Sequence, residues 1–143
     1  MDRLDGEILE LADSGTIRYT SIAKKLGAPI STVHMRLKKL EKEGTIKKYK
    51  ADVDWKKAGL DITAYVMINI DVDTLKRIGK TQDKLLKELK NILYVKEGSI
   101  IIGDADLLIK IIAKDTSHLK DILLNYVGKI EGITTTKTFI VLE

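Results

Sequence analysis

The sequence predicts an α+β protein in two parts: a helix-turn-helix, winged-helix-like unit over residues 1–59, then a ferredoxin-like βαββαβ unit over 60–143. Three observations carry this. Apolar residues recur at helical spacing in three short segments before Gly44. The period changes to two at Ile62, and from there strand-like and helix-like runs follow in the order β-α-β-β-α-β. The length of 143 residues suits one domain or two small ones, and a hydrophobic content of 44% supports a real core.

In the first part, Leu4, Ile8 and Leu11, with Leu9 beside them, repeat at helical spacing from Asp2 to Asp13, and Ser14-Gly15 closes that helix. Thr20 is placed to cap a second, short helix whose Ile22, Ala23 and Leu26 face inward and which ends at Gly27. A third helix runs from Pro29 or Ser31 to Lys42 and stops at Gly44. Thr45 to Val53 alternates as an extended segment. Trp55 to Gly59 reads as a linker or a short turn of helix, and the domain boundary is set there.

In the second part, Ile62, Ala64, Val66, Ile68, Ile70 and Val72 alternate with Thr63, Tyr65, Met67, Asn69 and Asp71, the pattern of a half-buried strand. Thr81 opens a helix with Leu85, Leu86, Leu89, Ile92 and Leu93 as its apolar stripe. Tyr94 to Ile102 is a second strand and Leu107 to Ala113 a third. Asp115 opens another helix with Leu119, Ile122, Leu123, Tyr126 and Val127 facing in. Gly132 ends that connection, and the β-branched run Ile133 to Leu142 is a fourth strand. Both helices then lie on one face of an antiparallel sheet, and a second subunit is the simplest cover for the other face.

The chain has no cysteine, which excludes disulfide scaffolds and thiolate metal sites and fits a reducing cytoplasm. The opening MDRLDGEILEL lacks the basic-then-apolar order of a signal peptide, and no apolar run approaches the roughly 20 residues of a membrane span. A soluble, cytoplasmic protein is expected. With only His34 and His118, and no nucleophile–base or metal-ligand spacing, neither an enzyme nor a metal or cofactor site is expected.

Charge distribution says more than the net +4. Residues 1–59 hold ten lysines and three arginines against nine acids, whereas residues 60–143 balance twelve bases with twelve acids. From Ser14 through Leu40 there is no acid at all, while Arg18, Lys24, Lys25, Arg36, Lys38 and Lys39 fall inside. A compact helix pair with a one-signed field is suited to lying against a polyanion, so double-stranded DNA is the first partner to consider.

With Val33, Leu37 and Leu40 buried, Ser31, Met35 and Lys38 of the third helix point directly away, and Thr32, His34 and Lys39 lie on the flanks. A recognition helix reads bases through its N-terminal half, which makes Thr32, His34 and Met35 the base-reading candidates. Lys38, Lys39, Arg36, Lys24 and Lys25 suit phosphates, and Thr20 and Ser21 can present hydroxyls and amides to another. Two of these have an equally plain alternative. Arg36 sits near the core edge and could brace Glu7, Glu10 or another acid of the first helix, and His34 could be an ordinary surface histidine.

The chain resembles the Lrp/AsnC (feast/famine) transcriptional regulators. The residues that carry the resemblance are Leu4-Asp5 with Ile8-Leu9, Ile22 to Gly27, Val33, Arg36, Leu40-Glu41, Gly44, and Ile46 with Tyr49. They continue with Gly103 to Leu108, Gly132-Ile133 and Thr136 to Leu142, so nearly the whole chain is covered in order. Two departures are visible: Pro29 stands where the family usually has a small polar cap, and Asp73 to Lys80 exceeds the family's usual connection. The resemblance implies a homodimer assembling to higher oligomers, pseudo-palindromic DNA sites and an amino-acid effector. It also implies that Gly103, Asp104 and Asp106, with Phe139 and Ile140 as secondary members, border the effector. Read without it, Gly103 to Asp106 is a hairpin turn, although two carboxylates two apart exceed what a turn needs. The alternative function is a small-molecule-binding module that acts through protein partners, against which the basic first part argues.

Overall fold

Asp2 starts the first helix by accepting the Asp5 N–H on its carboxylate at 2.9 Å, and α1 spans Arg3–Asp13. The computed structural model describes all 143 residues, which divide into two units, Met1–Val53 and Asp54–Glu143. In the first, α2 (Tyr19–Leu26) ends on Gly27 in the left-handed region, and α3 (Ile30–Lys42) follows after Pro29. Ile8, Ile22, Ala23, Val33, Leu37 and Leu40 form its core. Thr20 does not cap α2 as expected. Ile22 N–H donates to Arg18 O at 3.0 Å, so Arg18 is the N-cap and the helix begins two residues earlier, at Tyr19, with no side-chain cap and Thr20 inside its first turn.

Beyond α3, Ile46 N–H donates to Leu40 O at 3.1 Å, and then regular pairing stops. Residues 47–53 run without a strand partner, so the expected connecting strand is an unpaired segment here. Trp55 to Gly59 forms a turn, closed by Ala58 N–H and Leu60 N–H on Trp55 O, and it falls with the second unit rather than the first.

The second unit carries β1 (Ile62–Ile70), β2 (Val95–Ile100), β3 (Leu107–Ala113) and β4 (Ile133–Ile140) in one antiparallel sheet of order β2-β3-β1-β4. Ala64, Val66, Ile68, Leu107, Ile109 and Ile111 turn to the helix-covered face and join Leu85, Leu89, Leu119 and Ile122 in the core. Gly98 of β2 belongs there too: a Cβ on it would stand 2.9 Å from Leu86 Cδ1, so its bareness lets the helix above approach. On the opposite face, the register aligns Tyr65 with Lys110 and Phe139, and Met67 with Leu108 and Lys137.

Three expectations need correction. Val72 does not continue β1: it is the first residue of an extra helix, α4 (Val72–Ile78), over the stretch noted as an overlong connection. Asp71 caps it, accepting from the Asp73 and Thr74 N–H groups, and Gly79 in the left-handed region ends it. Second, α5 (Gln82–Lys90), capped by Thr81 as expected, stops before Leu93, which lies past its end and is exposed. Third, α6 (Thr116–Ile122) runs on into a wider π-helical turn, Leu123–Val127, closed by Gly128 N–H on Leu123 O at 2.8 Å. The wider turn rotates the phase, so Val127 is buried while Tyr126, expected inside, faces out.

Candidate nucleic-acid interface and effector turn

Helix α3 is sharply two-faced. Val33 and Leu37 are fully buried, whereas Ser31, His34, Lys38 and Lys39 are exposed and Met35 is 65% exposed. Thr32 is half-buried, with its N–H donated to Pro29 O at 3.1 Å. Pro29 is extended at the N-cap position and makes no side-chain cap, so the helix starts between the two sites expected for it. On α2, Thr20 is exposed and Ser21 half-buried in the first turn, with Lys24 and Lys25 exposed further along.

Arg36 is engaged with the start of the first helix. Its Nη1 lies 2.6 Å from Asp2 Oδ2 and 3.1 Å from Asp5 Oδ1, and Asp5 is the single buried charged residue of the chain. Both contacts hold the guanidinium's proton more firmly than usual. The Asp2 carboxyl is pulled below the ordinary carboxylate range, first by the Asp5 N–H and then by Arg36. The brace to the first helix that the sequence allowed is formed, on Asp2 and Asp5 rather than on Glu7 or Glu10.

Two aromatic residues organise the rest of this surface, and neither was singled out from sequence for a role. The Tyr19 ring stands edge-to-face with the His34 imidazole, centroids 4.5 Å apart and planes at 86°. The Lys38 pKa is raised, first by the nearby Tyr19 hydroxyl and then by Glu41. Tyr49 donates its hydroxyl to Glu41 Oε1 at 2.7 Å, and its pKa is pushed up to about 12, by burial first and by Glu41 second. Lys38 and Lys39 lie 3.7 and 3.8 Å from Glu41 and Glu43. Exposed pairs of this kind contribute little and exchange readily for a phosphate.

In the second unit, Gly103 and Asp104 are exposed, and the Asp104 side chain has no partner. Asp106 is committed elsewhere. Its N–H donates to Ile68 O at 3.0 Å and its Oδ2 accepts the Ile70 N–H at 2.9 Å, so it pins the turn to the end of β1. Phe139 and Ile140 are not brought near the turn. They pair with Tyr65 and Ala64, toward the opposite end of β1, on opposite faces of the sheet. Four residues of strand, roughly 13 Å, separate Ala64 from Ile68. Within one chain the five expected effector residues therefore do not form a single site. No group of three or more His, Cys, Asp or Glu side chains is placed to hold a metal ion, and no helix is long and apolar enough to cross a membrane.

Comparison with known proteins agrees with both halves of this description. Residues 63–143 match the family model of the Lrp/AsnC ligand binding domain, and residues 1–47 match that of a winged helix-turn-helix DNA-binding domain. An HTH-type transcriptional regulator of Pyrococcus horikoshii, itself uncharacterized, is 32% identical over 98% of this chain and 91% of its own length. The structure of E. coli AsnC superposes with a TM-score of 0.79 at 27% identity, covering 100% of this chain and 93% of that one. A feast or famine regulatory protein of M. tuberculosis, solved in complex with L-methionine, shares the fold at a TM-score of 0.82 and 22% identity, covering 99% of this chain and 92% of that one.

Proposed function

This chain belongs to the Lrp/AsnC family of transcriptional regulators, and from that premise we propose that it binds double-stranded DNA sequence-specifically as a homodimer or larger homo-oligomer under the control of an amino acid. The family is one of regulators rather than enzymes. The observation that carries the specific reading is the exposed face of α3. Ser31, His34 and Met35 stand in its first half, followed by Lys38 and Lys39, with Lys24 and Lys25 exposed on α2. Imidazole and thioether suit base edges and thymine methyls, while the lysines suit phosphates. Thr32, half-buried, is a weaker reader, and Thr20 and Ser21 add hydroxyls and amides for one phosphate.

Dimerisation draws its support from the uncovered sheet face, where Tyr65, Met67, Leu108 and Phe139 lie side by side in register. A two-fold dimer of helix-turn-helix units reads pseudo-palindromic sites, with half-sites about one helical turn apart or a multiple of it. The effector reading is supported by the unpartnered Asp104 carboxylate beside Gly103, which suits an α-amino group, and by L-methionine in the M. tuberculosis neighbour. With Asp106 held on β1 and Phe139 and Ile140 remote within the chain, a complete site needs groups from a second subunit. An amino acid would act by binding one assembly or conformation more tightly than another.

Fluorescence anisotropy against DNA selected from a random library tests the whole reading. Four phosphate-directed lysines per protomer give a log–log salt slope of about −3.6 for each half-site, with selected DNA bound far more tightly than random DNA. Binding that ignores salt and prefers no sequence removes it.

A further inference from the structure

We propose that Tyr19 is a positioning residue of the DNA interface: its ring holds the His34 imidazole in the orientation that reads a base edge, and so sets which base pair is preferred there. This rests on α3 as the reading helix. An exposed histidine on a helix ordinarily samples several rotamers, and a group that must reach one base edge loses selectivity when it does. His34 has a specific neighbour that Ser31 and Met35 lack. The Tyr19 ring meets it edge-to-face at 4.5 Å and 86°, within the preferred geometry for aromatic pairs.

The ring is itself held. Tyr19 is the first residue of α2, half-buried, and packed on the core of Ile22, Val33 and Leu37, so it moves only with the helix pair. Lys38 lies four residues beyond His34 on the same helix face. Glu41, which accepts from the Tyr49 hydroxyl at 2.7 Å, lies 3.7 Å from the Lys38 ammonium. One side chain of α2 thus orients a base-reading group of α3.

The test uses the full-length protein and three variants, Tyr19→Leu, Tyr19→Phe and His34→Ala, in binding-site selection followed by anisotropy on the selected site and on its single-base substitutions. His34→Ala is expected to flatten discrimination at one base pair of each half-site by about tenfold. Tyr19→Leu should flatten the same pair by fivefold or more and leave the other positions unchanged. In the double variant its effect should vanish, because His34 is already gone. Tyr19→Phe keeps the ring and should keep the preference. A purely structural role predicts weaker binding to every sequence with the preference intact. That result in Tyr19→Leu, or loss of preference in Tyr19→Phe, overturns the proposal, as does a His34→Ala variant with unchanged preference. If wild type selects no sequence, the reading of α3 fails first. If His34→Ala relaxes one pair and Tyr19→Leu does not, this inference alone fails. Should Tyr19→Leu not fold, the NMR shifts of the His34 ring protons in wild type and Tyr19→Phe decide, since a ring held at 4.5 Å must displace them in both and their absence of displacement refutes the contact.

Discussion

Replacing Gly132 with alanine tests whether the unanticipated helix α4 is an integral part of the second unit. Gly132 is buried at φ +107, immediately before β4, and a Cβ placed on it would lie 2.5 Å from Leu75 Cδ2 and 3.4 Å from Leu75 Cγ. Ordinary carbon–carbon contact is about 3.5–4.0 Å, so the overlap is about an ångström. The backbone cannot slide to relieve it, because Gly132 O accepts the Asp71 N–H at 2.8 Å and the neighbouring Glu131 O accepts from the Lys80 ammonium at 3.1 Å. Positive φ costs an alanine about 1–2 kcal/mol, and forced overpacking adds about 1–3 kcal/mol. Expelling Leu75 instead forfeits its burial, about 2–5 kcal/mol, which caps the clash. Urea unfolding followed by circular dichroism should therefore show a loss of about 2–5 kcal/mol for Gly132→Ala. Leu75→Ala alone costs a similar amount, but the two together should cost less than their sum by about 1–3 kcal/mol, because the new methyl fills space the leucine vacates. A loss below about 1 kcal/mol for Gly132→Ala, or strict additivity, refutes the packing of α4 on this turn.

Three further outcomes follow from the first unit. Arg36→Met should lower the thermal midpoint, since it leaves the buried Asp5 carboxylate without its partner, yet leave the salt slope of DNA binding unchanged. A slope reduced by about 0.9 would return Arg36 to the phosphate set. Lys38→Ala with Lys39→Ala should reduce the slope by about 1.8 and weaken binding to all sequences alike, read by anisotropy between 50 and 200 mM salt. Absorbance titration should show one tyrosine ionising at about 12, a phase absent from Tyr49→Phe. Because the folded pKa of Tyr49 lies above the ordinary 10, its contribution to stability is complete below pH 10 and falls away as pH rises from 10 toward 12.

Period alone revealed most of the elements. The Leu4–Ile8–Leu11 spacing marks α1, Val33–Leu37–Leu40 marks the buried side of α3, and strict alternation marks β1 from Ile62 to Ile70. What period cannot show is where it breaks for local reasons. Val72 extends the alternation of β1 by one step, yet Asp71 is a better cap than a strand residue, and its side chain ends the strand by bonding the next two amides it can reach. The π-helical turn at Leu123 shifts phase by one residue, which expels Tyr126, and nothing in the apolar spacing announces it. The exposed side of α3 followed directly from its buried side, so Met35, His34 and Lys38 were placed correctly on the surface. The contacts Tyr19–His34 and Tyr49–Glu41 were not legible, because they join separate parts of the chain at packing angles that one sequence does not specify, whereas a brace from Arg36 to an acid of α1 was one of two readings open for it. An aromatic residue opening the short helix before a histidine-bearing one was the available signal for the first of these.

Selection of binding sites from random double-stranded DNA by the wild-type protein, repeated with His34→Ala combined with Met35→Ala, tests the assignment of α3 most directly. The wild type should enrich one pseudo-palindromic motif. The variant should fold, retain salt-dependent binding and lose preference at the positions those two side chains face, by about 1–3 kcal/mol per base pair. Identical motifs from both proteins would contradict the account, because some other surface would then be reading the DNA.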